Sequence, residues 1–278
     1  MTIIQSLLLG LIQGLTEFLP ISSSAHLVLA QTVFGLSPDG EADLLFNILV
    51  HIGTLAAVCV AFRKLLLRLF ADGIRMLQQI FTGKFHWKKA SSGKRMIVFL
   101  IVSLLPLLVV YPLRELLEPI MSSVLCVGIA LIFNAGILLI SDFAPEGKKT
   151  PADMRFSDAI FVGVIQAAAV IPGISRSGST ITAGISCRLK RSFAAKYSFI
   201  LSIPTILAAA VLEIVDAVQV GIHVSAIPVY LVGMLAAAVS GFFAIKLLQY
   251  LLKSKKFVIF AAYSLIVGVG AILWSFFH

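Results

Sequence analysis

The sequence predicts an all-α polytopic membrane protein, an inverted-topology repeat of six transmembrane helices plus two re-entrant helical hairpins. Three observations predict it. Apolar residues make up 59% of the 278 positions and charged residues 13%, with a mean hydropathy of +1.04; soluble domains are about 45–50% apolar and about 25% charged. Six stretches reach the roughly 20 apolar residues that a spanning helix needs, and two more are interrupted near the middle by proline and serine. The two interrupted regions resemble each other.

In chain order, residues 1–35 form the first interrupted region, broken at "LPISSSAH" (19–26). Spans follow at 43–62, 95–113 and 121–141. Residues 157–190 form the second interrupted region, broken at "IPGISRSGST" (171–180), and spans follow at 193–213, 227–251 and 257–277. Two half-helices joined by a polar tip make a re-entrant hairpin, and free backbone at membrane depth needs protein or a wet cavity around it. The loop 63–93 contains "RKLLLRLFADGIRMLQQIF", with apolar residues at helical spacing against basic ones. It either lies on the membrane surface or continues the preceding span.

Charge tests the topology. With the N-terminus outside and both broken segments re-entrant, the cytoplasmic loops hold nine Lys/Arg in 63–95, three in 148–155, four in 188–196 and three in 253–256, which is 19 of 22. Arg114, Lys246 and Arg176 are the remainder. The outside loops carry Asp39, Glu41, Asp43, Glu115, Glu118 and Asp216. If either broken segment spanned fully, the following basic loops would fall on the wrong side. The same distribution explains the net charge of +9 without nucleic acid as a partner. Cys59, Cys126 and Cys187 lie in or beside apolar runs without metal-ligand spacing and read as small core residues. The N-terminus lacks a basic n-region and its apolar run carries Glu17, a poor signal peptide.

"GLIQ" (10–13) matches "GVIQ" (163–166), and "ISSS" (21–24) matches "ISRS" (174–177), both at an offset of 153. "HIGTLAAV" (51–58) resembles "SIPTILAAAV" (202–211). The chain therefore divides into a first repeat, 1–156, and a second, 157–278, each one hairpin plus three spans within one membrane domain. Three is odd, so the halves are inverted, and such repeats place their site near the midplane where broken helices meet.

At the first tip, Gln13 and Glu17 are four apart and share a helix face. Ser22, Ser23, Ser24 and His26 follow Pro20. The second tip offers Gly173, Ser175, Arg176, Ser177, Ser179 and Thr180. An unpaired charge at mid-membrane costs about 2.5–3.5 kcal/mol on insertion scales. Glu17 and Arg176 either merely pair and hold the halves together or belong to a site, and the accompanying imidazole and hydroxyls favour a site. Gly173 and Gly178 let backbone N–H groups converge into an anion nest at the start of a half-helix, and Arg176 adds a fork matched to phosphate. Anion holder, hydroxyl, imidazole and carboxylate together fit phosphoryl transfer. If a helix begins after Pro20, Ser23 and His26 share a face and hydrogen-bond, with Ser23 as nucleophile and His26 as its base; attack by His26 itself or directly by water are the alternatives. His51 reads as a packed or hydrogen-bonding helix residue, and His86 and His223 as solvated.

"QGLTE" (13–17) running into "FLPISSSAH", and "PGISRSGST" (172–180), resemble the two motifs of the undecaprenyl-pyrophosphate phosphatase family, the bacitracin-resistance proteins, over essentially the whole chain. The resemblance implies release of phosphate from the C55 polyprenyl diphosphate lipid, regenerating the monophosphate carrier for cell-wall synthesis. It also implies the inner (plasma) membrane of a bacterium, a divalent cation, usually Mg2+, and a homodimer. Carried over by motif, Glu17, Ser23, His26 and Arg176 are catalytic, and Gly173, Ser175, Arg176, Ser177 and Thr180 hold the diphosphate. The first motif position here is Gln13 rather than Glu, and a neutral amide is a weaker ligand for a hard cation. A metal at Glu17 and Gln13 would then depend on Glu17, or ride on the diphosphate itself. The rival class is a polyprenyl-phosphate flippase or other anion transporter, which would use similar broken helices but needs no hydroxyl–imidazole–carboxylate group.

Overall fold

In the computed structural model, residues 1–36, 41–110, 112, 123–220, 226–252 and 257–277 are described. Asp39, Arg114, Glu115, Glu118, His223 and Lys253 to Lys256 lie outside them. Eleven α-helices and no strand occur among the described residues. Six helices are long and apolar enough to cross a membrane: α3 (Glu41–Ala61), α5 (Ser92–Val110), α6 (Val124–Phe143), α9 (Arg191–Val220), α10 (Ile227–Leu251) and α11 (Phe257–Phe277). Each matches a span read from the sequence. The largest shift is in α9, which continues to Val220 because "LEIVDAVQV" contains neither glycine nor proline to stop it.

The interrupted regions yield four shorter helices: α1 (Ile3–Phe18), α2 (Ser23–Val33), α7 (Phe156–Ala168) and α8 (Arg176–Ser186). At 1.5 Å per residue, the 16 residues of α1 extend about 24 Å and the 11 residues of α2 or α8 about 16 Å, short of a hydrocarbon core of about 30 Å. Thr2 and Gln5 close a reciprocal capping box at the start of α1. Pro20 ends that helix, since the residue before proline is driven out of the helical region; Leu19 is extended at ψ 142°. Ser22 then takes φ +70° and caps α2. In the second region the chain leaves α7 at Ala168, turns through Pro172 and Gly173, and enters α8 under a Ser175 cap. Gly173 has φ +97°, and a Cβ there would collide with Ala130 and the Val127 carbonyl of α6.

The sequence "RKLLLRLFADGIRMLQQIF" is a helix of its own, α4 (Arg63–Phe81), separated from α3 at Phe62 and packed on α5. It buries Leu69 and Met76 and leaves Leu67, Phe70 and Phe81 exposed.

Packing follows the close-approach positions. α1 lies against α10, where a side chain on Gly10 would strike the Gly233 backbone, and Ser6 Oγ donates to the Val229 carbonyl at 2.6 Å. α7 lies against α5, where a side chain on Gly163 would strike the Ser103 backbone. α3 packs on α9 and α10, and α6 on α11. Inside the bundle, Phe199 of α9 meets Phe18 edge-on at 5.7 Å and Phe62 at 5.8 Å. Phe62 lines a cavity of about 720 Å³ with Arg63, Lys64, Arg68, Lys196 and Lys246.

Candidate active site

Helix ends that stop inside an apolar bundle leave N–H and C=O groups needing partners. One side chain of α6 serves both breaks. Asn134, fully buried, donates through Nδ2 to the Pro20 carbonyl at 3.0 Å and accepts the Ser175 N–H on Oδ1 at 3.0 Å. The two tips are thereby fixed side by side.

Between them stands one carboxylate. Glu17, in the last turn of α1, is buried, and its Oε1 forms an ion pair with Arg176 Nη2, the first residue of α8. Its Oε2 accepts from Ser23 Oγ at 2.5 Å and from Gln13 Nε2 at 3.0 Å. Arg176 Nη1 is buried without a partner, as is Gln13 Oε1. Breaking a buried ion pair by removing one member typically costs about 3–5 kcal/mol, so this contact also ties the two breaks together.

Glu17, Ser23 and Arg176 line a cavity of about 270 Å³ together with Ser22, Ser24, Ser175, His51, Gln166 and the stretch of α9 from Thr205 to Glu213. A hydroxyl already hydrogen-bonded to a carboxylate, facing a cavity that also holds a half-free guanidinium, is arranged to give up its proton and attack an anion.

The structure departs from the sequence reading at His26. The Ser23–His26 hydrogen bond expected from their three-residue spacing is not formed. His26 Nδ1 lies 2.7 Å from the Ser22 carbonyl, one turn back on α2, and must carry the proton there because a carbonyl only accepts. Nε2 then accepts from the Tyr263 hydroxyl of α11 at 2.9 Å, with the two rings parallel within 8°. Ser23, the first residue of α2, turns instead toward the end of α1. Its proton acceptor is Glu17.

The second tip divides by task. Ser175 and Arg176 face the cavity, and Ser175 Oγ caps α8 by accepting the Gly178 N–H at 3.1 Å and lies 3.1 Å from Ser177 Oγ. Ser177 and Thr180 do not line the cavity. Ser177 Oγ reaches the Leu19 carbonyl of the first break at 3.4 Å, and Thr180 Oγ1 bonds the Arg176 carbonyl at 2.8 Å and Ser198 of α9 at 2.6 Å. Gly173 makes the turn. Asn134, Tyr263 and Gln166 play no part in the sequence reading of the site. Asn134 and Tyr263 stand within apolar spans, where a polar residue is the available signal. His51 also faces the cavity, with Nδ1 held by the Asn47 carbonyl at 2.7 Å.

Glu17 has both oxygens engaged, and no group of three His, Cys, Asp or Glu suited to a metal ion occurs among the described residues. Gln13 Oε1 is one neutral oxygen, far from the six that Mg2+ takes. The protein side chains alone do not fit a resident cation.

Residues 6–270 match the family described as Bacitracin resistance protein BacA. Proteins named undecaprenyl-diphosphatase are similar over nearly their whole length. That of Methanosphaera stadtmanae is 37% identical over 277 residues, covering 98% of each chain. That of Methanobrevibacter smithii is 38% identical over 281 residues, covering 100% of this chain and 99% of its own. That of Carboxydothermus hydrogenoformans is 39% identical over 267 residues, covering 95% and 94%.

Proposed function

The chain belongs to the bacitracin resistance protein BacA family, and from that premise we propose that it is a multi-pass membrane phosphatase. It hydrolyses undecaprenyl diphosphate to undecaprenyl phosphate and inorganic phosphate, recycling the cell-wall lipid carrier and conferring bacitracin resistance. The observation that carries this reading is the Ser23–Glu17–Arg176 chain of contacts, drawn from both broken regions onto one cavity.

In the reaction, the substrate diphosphate enters the cavity and draws the Arg176 fork onto its oxygens. Glu17, released from its cation, takes the Ser23 proton on Oε2 as Ser23 Oγ bonds to the terminal phosphorus. The bond from that phosphorus to the bridging oxygen breaks, and undecaprenyl phosphate leaves with the electron pair. Water then attacks the same phosphorus and gives one proton to solvent; the P–Oγ bond breaks, Ser23 Oγ recovers the proton held by Glu17, and inorganic phosphate leaves. Ser175 and the start of α8 neutralise charge on the phosphoryl oxygens. His26 orients the Ser22 carbonyl at the tip. A divalent cation, Mg2+ by family resemblance, would be held by the diphosphate rather than by these side chains and would supply charge neutralisation there.

The reading includes the inverted repeat with two re-entrant hairpins. Its support is the exchange of partners between halves: α1 with α2 and α10 in one, α7 with α8 and α5 in the other. Gly10 and its counterpart Gly163 both stand at the closest approach to the crossing helix. Charge bias favours both termini and the segment 214–226, whose first residues to Val220 are the end of α9, on the outside at the inner (plasma) membrane; the cavity wall runs along α9 to Glu213, toward that end. Cysteines introduced at Ser37 and Ser225, in a background lacking Cys59, Cys126 and Cys187, should react with an impermeant thiol reagent on intact cells. Reaction at Ser91 instead reverses the orientation. A homodimer belongs to the reading on family resemblance alone.

The deciding experiment is phosphate release from the C55 diphosphate lipid by purified protein in detergent. A flippase or other transporter releases none.

A further inference from the structure

Gln166 of α7 has no task in the scheme above. It is 2% exposed, lines the cavity, and its Nε2 has no hydrogen-bond partner. A buried N–H left unmade costs about 1–3 kcal/mol, and an orphan of this kind calls for a specific explanation. The repeat supplies a comparison. Gln13 is the counterpart of Gln166 at the offset of 153, and its Nε2 donates to Glu17 Oε2 at 3.0 Å. The counterpart of Glu17 is Val170. Val170 also lines the cavity, in the turn that follows α7. Where the first half sets a carboxylate beside its glutamine, the second sets an isopropyl group and open space.

Arg176 faces the same space with Nη1 buried and unpartnered. One charged and one neutral donor therefore border the cavity, whose lining also includes Glu17 and Glu213 but has no acid beside Gln166 at the position that corresponds to Glu17. An anion supplies what both lack, since phosphate oxygens accept from guanidinium and amide alike.

We infer that Gln166 is a substrate-contacting residue, donating its Nε2 proton to a phosphate oxygen of the bound diphosphate. The anion then stands to Gln166 as Glu17 stands to Gln13. This rests on the reading of the cavity as the diphosphate site.

The test uses the full chain in detergent with two readouts. One is kcat/KM for phosphate release from the C55 diphosphate lipid. The other is the rise in Tm produced by a fixed concentration of inorganic diphosphate, which needs no turnover. Gln166→Leu removes the donor at similar size. It should lose about 10- to 100-fold in kcat/KM, with most of the diphosphate-induced Tm rise gone. Its own Tm without ligand should equal or exceed the wild type's, because an orphan donor has been removed. Val170→Glu restores the missing carboxylate and should abolish the diphosphate response in a folded protein. Gln166→Asn keeps a donor at shorter reach and should fall between Gln166→Leu and wild type. The inference is overturned if Gln166→Leu keeps both readouts within twofold of wild type. It is also overturned if the variant loses Tm while its response to diphosphate is unchanged, which marks a packing residue. Wild-type protein that releases no phosphate, yet whose diphosphate response needs Gln166, ends the phosphatase reading and leaves the contact standing.

Discussion

The two breaks share a backbone plan and divide the chemistry. Ser22 and Ser175, 153 residues apart, each cap a return helix of 11 residues. The next residues, Ser23 and Arg176, are counterparts, and both bond to Glu17. The break itself is four residues in the first half, 19–22, and seven in the second, 169–175. The first tip holds the acid and the hydroxyl, the second the cation and the glycine turn. A repeat that kept identical side chains would set like charges face to face at the centre of the bundle. Divergence lets one half neutralise the other, and the same difference produces a site.

Changes at Glu17 and Ser23 test that division most severely. Glu17→Gln and Ser23→Ala should each lower kcat for phosphate release by about 10³-fold, because base and nucleophile act together. The double variant should be little worse than either. Rates that multiply across the pair would separate their roles.

Arg176→Lys keeps the charge but gives up the fork that holds Glu17 with one prong and leaves the other free. A loss of about 10²-fold in kcat/KM is expected, and near-wild-type turnover would reduce the second tip to a counter-ion.

Asn134→Ala leaves the Pro20 carbonyl and the Ser175 N–H unpaired in both breaks at once. Denaturation in detergent should register roughly 2–4 kcal/mol, with activity reduced about tenfold as the tips lose register. An effect confined to one tip, seen as altered cysteine reactivity near only Ser22 or only Ser175, would argue that the breaks are supported separately.

His26→Ala should have the smallest kinetic effect, less than about fivefold, with a stability loss from the abandoned Tyr263 and Ser22 contacts. Tyr263→Phe should copy most of that stability loss. A folded but inactive His26→Ala, with Tyr263→Phe fully active, would return the imidazole to the reaction.

The six spans and both breaks are legible in the sequence because hydropathy, proline placement and loop charge are local properties. Glu17 and Arg176 stand out for the same reason, since a charge inside an apolar run is costly. The partner of Ser23 is not legible. Three-residue spacing suits His26 within one helix, but Ser23 opens α2 and faces the end of α1, so a contact six residues back in sequence wins. Ser177 and Thr180 carry the look of phosphate ligands, yet the α8 register turns them toward Leu19 and Ser198. Asn134 is a single amide in a span of high hydropathy, and only the fold brings it to two breaks lying 114 and 41 residues away.

The ring contacts of Phe18, Phe199 and Phe62 have an electrical consequence. Phe18 adjoins Glu17, and Phe62 lines the basic cavity beyond the far end of the same helix pair, α3 and α9. A continuous water thread between the two cavities would conduct protons down a driving force of about 2.3 kcal/mol per charge for each 100 mV. The three rings, with centroids 5.7 and 5.8 Å apart, stand in an apolar row between the residue beside Glu17 and the lining of the basic cavity. Apolar rings offer water no hydrogen-bond partner, so this row stands against proton leakage between the carboxylate that takes the Ser23 hydrogen bond and the basic cavity.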